Sequence, residues 1–220
     1  MSFRKIIAQG VAVLALATLA SAASAETLLM PKRDARTTAP VVVWGVTTQA
    51  NGTATCTLDF GDSTSASCGP VVDRSYIATT HTYPVQGTYT VTLTVGAGAS
   101  AETATTTIQV FDPALFADGG AAGDNNRSLG INMAIQDGLR YLWTSQVNRA
   151  ANFPAGTTTN WNDTFSFPYA DTSLAVLAFE NQGYKITANV APTGLYEKYI
   201  VRRALNYVLA NLATIAVGVT

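Results

Sequence analysis

The chain has 220 residues, of which 48% are hydrophobic and 12% are charged, with a formal net charge of -1 at neutral pH. This balance argues against a nucleic-acid partner, because binding a phosphate backbone requires a basic surface. One His and two Cys are too few for a zinc site of the usual composition, and a Ser-His-Asp or Cys-His catalytic centre would depend on His81 alone. The apolar content is instead typical of a folded protein with a core.

Residues 1–25 have the pattern of an export signal peptide. Two basic residues precede an apolar run over 6–20, and Ala23-Ser24-Ala25 fits the small-x-small cleavage rule. The run of about 15 residues is shorter than the ~20 that cross a bilayer as a helix. We therefore expect cleavage after Ala25, a secreted or cell-surface location, and no membrane span in the mature chain.

The next two segments differ in composition and periodicity. Residues 26–38 mix charge and proline without periodicity, which predicts a flexible lead-in. Residues 39–112 contain short runs rich in Val, Thr, Tyr and Phe between turn residues, which predicts an all-β sandwich. The predicted strands cover 41–44, 53–60, 88–95 and 103–110. Strict alternation places one set of side chains on the buried face of the third strand: Tyr89, Val91, Leu93 and Val95.

Cys56 and Cys68 lie at equal distances from Asp62, where a hairpin turn is predicted. Such a hairpin would bring them opposite each other across two antiparallel strands. In an exported protein a disulfide is the expected state, and it would stabilise this small sandwich by about 3 kcal/mol in the chain-entropy model. The alternative is two free thiols that act as a redox or metal-binding pair, without the CxxC spacing such pairs usually have.

Residues 113–127 are rich in glycine and small residues and predict a linker between two bodies. Asp118, Asp124 and Asn125 carry the oxygen ligands that calcium takes, but their spacing does not fit the EF-hand loop. A plain polar linker is the other interpretation, and we expect no required cofactor.

Residues 128–220 change to a helical period, and helices are predicted over 128–149, 172–182 and 195–212. The middle helix is apolar almost all round and is expected to be an inner one, with Asp171 or Thr172 as N-cap and Gly183 as its end. The predicted buried stripes of the outer two are Ile131, Ile135, Leu139 and Leu142 in the first, and Val201, Leu205, Val208 and Leu212 in the last.

The first and last helices resemble each other, since 135–142 aligns with 201–208 with Leu and Tyr in matching places. Helical repeats normally need about three units to cover their apolar faces. Here one unit and the first helix of a second are predicted, followed by an uncharged apolar end. We therefore expect the natural chain to continue past Thr220 or to cover this surface with another subunit.

Three segments of the β block carry a family resemblance: 58–62 (LDFGD), 81–83 (HTY) and 87–95 (GTYTVTLTV). In this order they resemble the PKD (polycystic-kidney-disease) domain, an immunoglobulin-like module. The family's usual Trp is Leu58 here, and the Gly that normally follows the motif is Ser63. The resemblance implies an extracellular spacer or adhesion module without activity of its own.

The matched residues favour structural roles. Phe60 is expected to anchor the core, Gly61 to permit the turn, and Asp59 and Asp62 to accept backbone N–H bonds within it. His81, followed closely by Tyr83, is expected to be a packed, hydrogen-bonded residue at a strand end. Catalysis by His81, or acid–base chemistry by the two aspartates, is the alternative.

The helical part resembles one repeat of an α/α toroid of the squalene cyclase and prenyltransferase type, through 138–142 (GLRYL) with Gln146 and through 172–178 (TSLAVLA). The acid motif of the cyclases and the zinc ligands of the prenyltransferases are missing from the sequence, so the resemblance supports no cyclase activity. The predicted fold class is a multidomain all-β plus all-α chain: an immunoglobulin-like β-sandwich followed by an incomplete α/α helical repeat.

We predict a non-catalytic secreted or cell-surface protein that mediates adhesion or ordered extracellular assembly, by self-association or by binding an extracellular polymer. The alternative is the N-terminal spacer or substrate-targeting part of a longer secreted glycan or protein hydrolase. Five aromatic residues near the inter-helix loop either anchor a partner or fill the helical core: Trp143, Trp161, Phe165, Phe167 and Tyr169.

Overall fold

The computed structural model describes residues 27–31, 33–48, 54–69, 71, 76–116, 120–147, 158–161, 167–187 and 194–212. The predicted export signal and the apolar end over 213–220 lie outside these residues. Along the described part of the chain, no helix is both long enough and apolar enough to cross a membrane.

The described strands form two sheets that pack as an immunoglobulin-like sandwich. They are β1 (Thr27–Leu29), β2 (Arg33–Arg36), β3 (Pro40–Thr47), β4 (Cys56–Asp59), β5 (Ser65–Ser67), β6 (Tyr76–Thr82), β7 (Gly87–Val95) and β8 (Glu102–Phe111). One sheet has the order β1-β3-β6 and the other the order β2-β8-β7-β4-β5. Pairing is antiparallel except where β2 runs parallel to β8.

The prediction of a flexible lead-in over 26–38 is wrong, because this segment supplies β1 and β2. The chain pairs first with β3 of one sheet and then crosses to β8 of the other. Leu29 and Ala35 are buried within these strands, and so is Arg33. With three and four residues, the two strands are too short to show an alternating pattern, and the buried arginine hides it further.

Alternation in β7 gives the sandwich its core. Val91, Leu93 and Val95 are fully buried, as predicted, while Tyr89 is half-buried. Gly45 of β3 lies against them from the opposite sheet: a Cβ placed there would be 2.9 Å from a methyl carbon of Leu93. A side chain at position 45 would therefore clash with Leu93 of the facing sheet.

The disulfide prediction is confirmed. Cys56 and Cys68 are bonded, with their Cα atoms 5.0 Å apart. Thr57 pairs with Ser67 and the N–H of Cys68 donates to the carbonyl of Cys56, so the bond closes the β4–β5 hairpin at its open end.

The helices are α1 (Gly120–Thr144), α2 (Pro168–Asn181) and α3 (Arg202–Ala210), and a π-helical segment (Glu197–Val201) runs directly into α3. Two short 3-10 segments, Gly98–Ser100 and Pro113–Phe116, lie before α1. The predicted linker over 113–127 is wrong in its second half, because the first helix begins at Gly120 and not at 128. Its first two turns contain glycine and asparagine, which do not indicate a helix, so the sequence pattern missed them.

The ends of α2 show one correct and one wrong prediction. The helix begins at Pro168, a favoured first residue, so neither Asp171 nor Thr172 caps it. Gly183 ends it in a left-handed conformation with φ of +93°. The N–H groups of Gly183 and Tyr184 donate back to the carbonyls of Glu180 and Phe179, which is the Schellman arrangement.

The buried stripes of the helices differ from those predicted. Leu139 is buried as expected, but Ile131 is 53% exposed and Leu212 is 66% exposed. Leu129 and Trp143 complete the buried face of α1. Since Leu205, aligned with buried Leu139, is half-buried, the sequence repeat is not repeated in burial, and the described helices do not establish a toroid repeat.

Helices and sandwich share one core, so they are not the two separate bodies that the linker prediction implied. The indole of Trp44, on the outer face of β3, lies 5.6 Å from the Trp143 ring and 6.0 Å from the Tyr196 ring, between centroids. At the edge of β2, the N–H of Asp34 donates to the Gln136 side chain at 2.9 Å. Helix α1 is thereby held against both sheets.

Candidate functional site

The turn between β4 and β5 holds the predicted turn residues together. An Asp59 carboxylate oxygen accepts the N–H of Gly61 at 2.8 Å, and an Asp62 oxygen accepts the N–H of Thr64 at 3.1 Å. Gly61 has φ of +79°, and a Cβ there would lie 2.5 Å from the carbonyl oxygen of Thr90. Both carboxylates thus serve backbone groups, and the turn requires glycine at position 61.

His81 closes this turn from β6. Its Nε2 lies 2.8 Å from the second Asp62 oxygen, and both side chains are largely buried. The imidazole stacks on the Phe60 ring at 4.0 Å between centroids, and the Tyr83 hydroxyl donates to the carbonyl of Phe60 at 3.0 Å. The PKD-like motif residues therefore form one connected structural cluster.

The pKa values of Asp62 and Tyr83 are shifted by their surroundings in this cluster. Burial raises the pKa of Asp62, but hydrogen bonds from Thr64 and His81 outweigh it and hold the pKa below the ordinary 3.8. Burial, reinforced by the charges of Asp62 and Asp59, raises the pKa of Tyr83 above its ordinary range. Asp62 is therefore an acceptor and Tyr83 a donor at neutral pH.

Two of the five aromatics predicted near the inter-helix loop fill the core. Trp143 is 2% exposed and contacts Trp44, while Trp161 is 6% exposed. The Trp161 indole N–H donates to the carbonyl of Leu142, and its backbone N–H donates to the hydroxyl of Thr172. The burial of these two rings favours the core-filling interpretation over direct contact with a partner.

Two others lie at the surface where α2 begins. Phe167 is 63% exposed, and Tyr169 is 49% exposed with its ring 5.7 Å from that of Tyr207. Burial, together with Tyr169, raises the pKa of Tyr207. Phe165 lies outside the described residues.

An apolar groove runs between the end of α1 and the first half of α2, with a volume of about 400 Å³. Tyr141 and Leu174 form its rims and are 70% and 66% exposed. Trp161 and Ala175 lie in its lining, and Leu177 continues the apolar face one turn along α2 at 51% exposure. We call this surface the α1–α2 groove.

Sequence reasoning missed the groove because it treated the middle helix as buried all round. The buried face of α2 consists of Thr172, Ala175, Val176 and Phe179. Its opposite side carries Leu174 and Leu177, both exposed. Apolar residues on both sides of one helix were the available signal. Such a helix has a second apolar face that remains for a partner if the chain covers only the first.

The weak calcium site is not assembled by described side chains. Asp118 lies outside the described residues; Asp124 and Asn125 belong to α1, but their side chains are not among those described. Elsewhere in the described ranges, no group of three His, Cys, Asp or Glu residues is placed to hold a metal ion.

Comparisons with known proteins agree with the β part of this description. Residues 30–110 match the family model of the PKD domain, which supports the resemblance carried by the β block. No curated protein matches the chain significantly.

Several solved structures match part of the chain at low identity. The PKD domain of an M14-like peptidase from a Thermoplasmatales archaeon has 19% identity and a TM-score of 0.33, covering 39% of this chain and 91% of that domain. The CARDB domain of a Pyrococcus furiosus protein, in complex with di-metal ions, has 12% identity and a TM-score of 0.30, with coverages of 40% and 87%. The PKD domain of human KIAA0319 has 8% identity and a TM-score of 0.28, with coverages of 40% and 81%.

Proposed function

We propose that this chain is a non-catalytic extracellular protein whose PKD-like sandwich carries a helical surface for assembly with other protein chains. PKD domains are extracellular spacer or adhesion-type modules, and the disulfide is consistent with that environment. The observation that carries the proposal is the α1–α2 groove, an open apolar surface formed by exposed side chains of both helices.

The groove has the chemistry of a protein interface. A leucine left in water forgoes about 1.5–3 kcal/mol of burial free energy, and in the isolated chain Leu174 forgoes about two thirds of it and Leu177 about half. Tyr141 adds an aromatic side chain with a polar end, the type that is enriched at binding hot spots. A partner that covers these residues recovers the free energy that folding leaves unused.

The sandwich supports the groove as a rigid mount. Trp44 packs against α1 through Trp143, the Gln136 amide and Asp34 exchange two hydrogen bonds, and the guanidinium of Arg33 lies 2.7 Å from the Asp137 carboxylate. Because these contacts join both sheets to α1, the groove keeps one orientation relative to the sandwich. A spacer module with a fixed binding face suits ordered assembly better than a flexible tether does.

The non-catalytic part of the proposal draws on His81, the single histidine of the chain. Its Nε2 is engaged by Asp62 and its ring is stacked on Phe60. A histidine held in this way stabilises a turn, which is the role the PKD-like motif implies.

Two experiments on the exported chain test the proposal. Sedimentation velocity measures association of the chain alone and in the presence of soluble collagen, and pull-downs measure its binding to chitin and cellulose. We expect association of wild type with itself or with collagen, weakened about 30-fold or more by Leu174→Asp, the loss typical of a hot-spot residue. Val85→Asp, at a residue of the sandwich that is 61% exposed, is the matched control and should bind like wild type. The proposal is overturned if the chain associates with none of these, or if Leu174→Asp weakens none of the associations seen with wild type.

A further inference from the structure

The edge strands of the sandwich are protected unequally. The two sheet orders leave β1, β6, β2 and β5 at edges. Strands β1 and β5 have three residues each, and β2 is covered where Gln136 accepts the N–H of Asp34. Strand β6 has seven residues, and no described element pairs with its second edge. Short length and covering elements are the usual protections of an edge, and within the described residues β6 has neither.

The hydrogen-bond pattern shows which groups of β6 face this open edge. The N–H of Met30 donates to the carbonyl of Trp44 at 2.8 Å, so the backbone groups of Trp44 turn towards β1. Its neighbour Val43 must then turn towards β6, where it pairs with Thr79. By the same alternation, Ala78, Thr80 and Thr82 direct their N–H and C=O groups away from β3.

These outward residues are suited to accept another strand. Ala78, Thr80 and Thr82 are all exposed, and their small or β-branched side chains leave room for a neighbouring backbone. Lysine, proline and acidic residues, which commonly block an edge, are missing from the sequence of β6. Its one histidine, His81, turns to the inner face and is held by Asp62.

We infer that β6 pairs antiparallel with β6 of a second copy of this chain, which would join the two three-stranded sheets into one of six strands. An antiparallel pair centred on Thr79 places Ala78 opposite Thr80 and Ile77 opposite His81, so all seven residues find partners without a like-charge contact. A two-fold symmetric pairing is favoured because the same strand supplies donors and acceptors to both sides. This contact uses a different surface from the α1–α2 groove and so goes beyond the proposed function.

Residue-resolved amide hydrogen exchange of the exported chain at several concentrations tests the inference. In dilute solution the amides of Ala78, Thr80 and Thr82 should exchange fast, while those of Ile77 and Thr79 are protected by β3. As concentration rises, the outward amides should gain protection together with the appearance of a dimer in sedimentation. Thr80→Pro removes one outward donor without removing a bond to β3 and should weaken the dimer about tenfold or more.

Thr80→Val is the matched control, since it retains the N–H and the branched shape, and it should dimerise like wild type. Thr80→Lys gives a second edge-blocking variant in case the proline variant does not fold. Leu174→Asp should leave the edge dimer intact, which separates this contact from the groove. The inference is overturned if the outward amides exchange fast at every concentration, if they are protected even at high dilution, or if the folded edge variants keep the concentration-dependent protection of the outward amides that remain.

Discussion

Trp44→Ala tests the conclusion that sandwich and helices form one cooperative unit. Trp44 is 2% exposed, and its ring lies 5.5 Å from Tyr76, 5.6 Å from Trp143 and 6.0 Å from Tyr196. Truncation of a buried Trp lowers the free energy of unfolding by about 3–5 kcal/mol. Each aromatic contact contributes about 0.5–1.5 kcal/mol, so the loss at Trp44 should lie near the upper end of that range. For a chain of this length we expect the Tm to fall by about 10–20 °C.

The assay follows helices and sandwich separately during thermal unfolding, by circular dichroism at the helical band and by amide protection in β7. Wild type should show coincident transitions, because Trp44 belongs to the core that both parts share. Both transitions should shift together in Trp44→Ala. Phe167→Ala, at a side chain that is 63% exposed, is the control and should change the Tm by about 2 °C or less. Helices that melt at the wild-type temperature in Trp44→Ala, or separate transitions in wild type, would refute the shared core.

Two further predictions concern Asp62 and the helical core. The folded pKa of Asp62 lies below 3.8, so its ionised form stabilises the folded state fully above that pH. This contribution to the free energy of unfolding is lost as the pH falls through the folded pKa. In urea unfolding below pH 3.8, Asp62→Asn should therefore be less sensitive to acid than wild type. An identical acid response of the two proteins would contradict this assignment. Leu139→Asp, at a residue that is 5% exposed, should abolish cooperative helix unfolding by dichroism, whereas Leu205→Asp, at a half-buried residue, should cost less. Equal tolerance of both substitutions would contradict the burial difference between the two helices.

The sandwich was largely predictable because its signals are local. Alternation in β7 depends on one strand with one wet face, and Val91, Leu93 and Val95 follow it without exception. The hairpin disulfide depends on the symmetric placement of Cys56 and Cys68 about a turn. Strands β1 and β2 were missed because each is stabilised mainly by its neighbour in a sheet, through pairing that the local sequence does not reveal.

The packing of helices on β3 was less accessible, although the strand contains a clue. Its run Val41-Val42-Val43-Trp44 does not alternate, as expected of a strand buried on both faces. Val41 and Val43 point into the sandwich, and Trp44 points to the helices. Recognising that run would have predicted a layer outside the sheet, but it does not say which face of α1 covers Trp44.

Helix α2 explains why the candidate site was only partly predicted. Its sequence is apolar on nearly every side, which alone predicts a fully buried helix. The ring of Tyr196, 4.9 Å from that of Phe179, decides which face is covered within the chain. Leu174 and Leu177 are as hydrophobic as the residues of a buried face, but their side chains are exposed. The expectation of burial therefore supports the groove as an interface, because a second chain can bury the face that this one leaves in water.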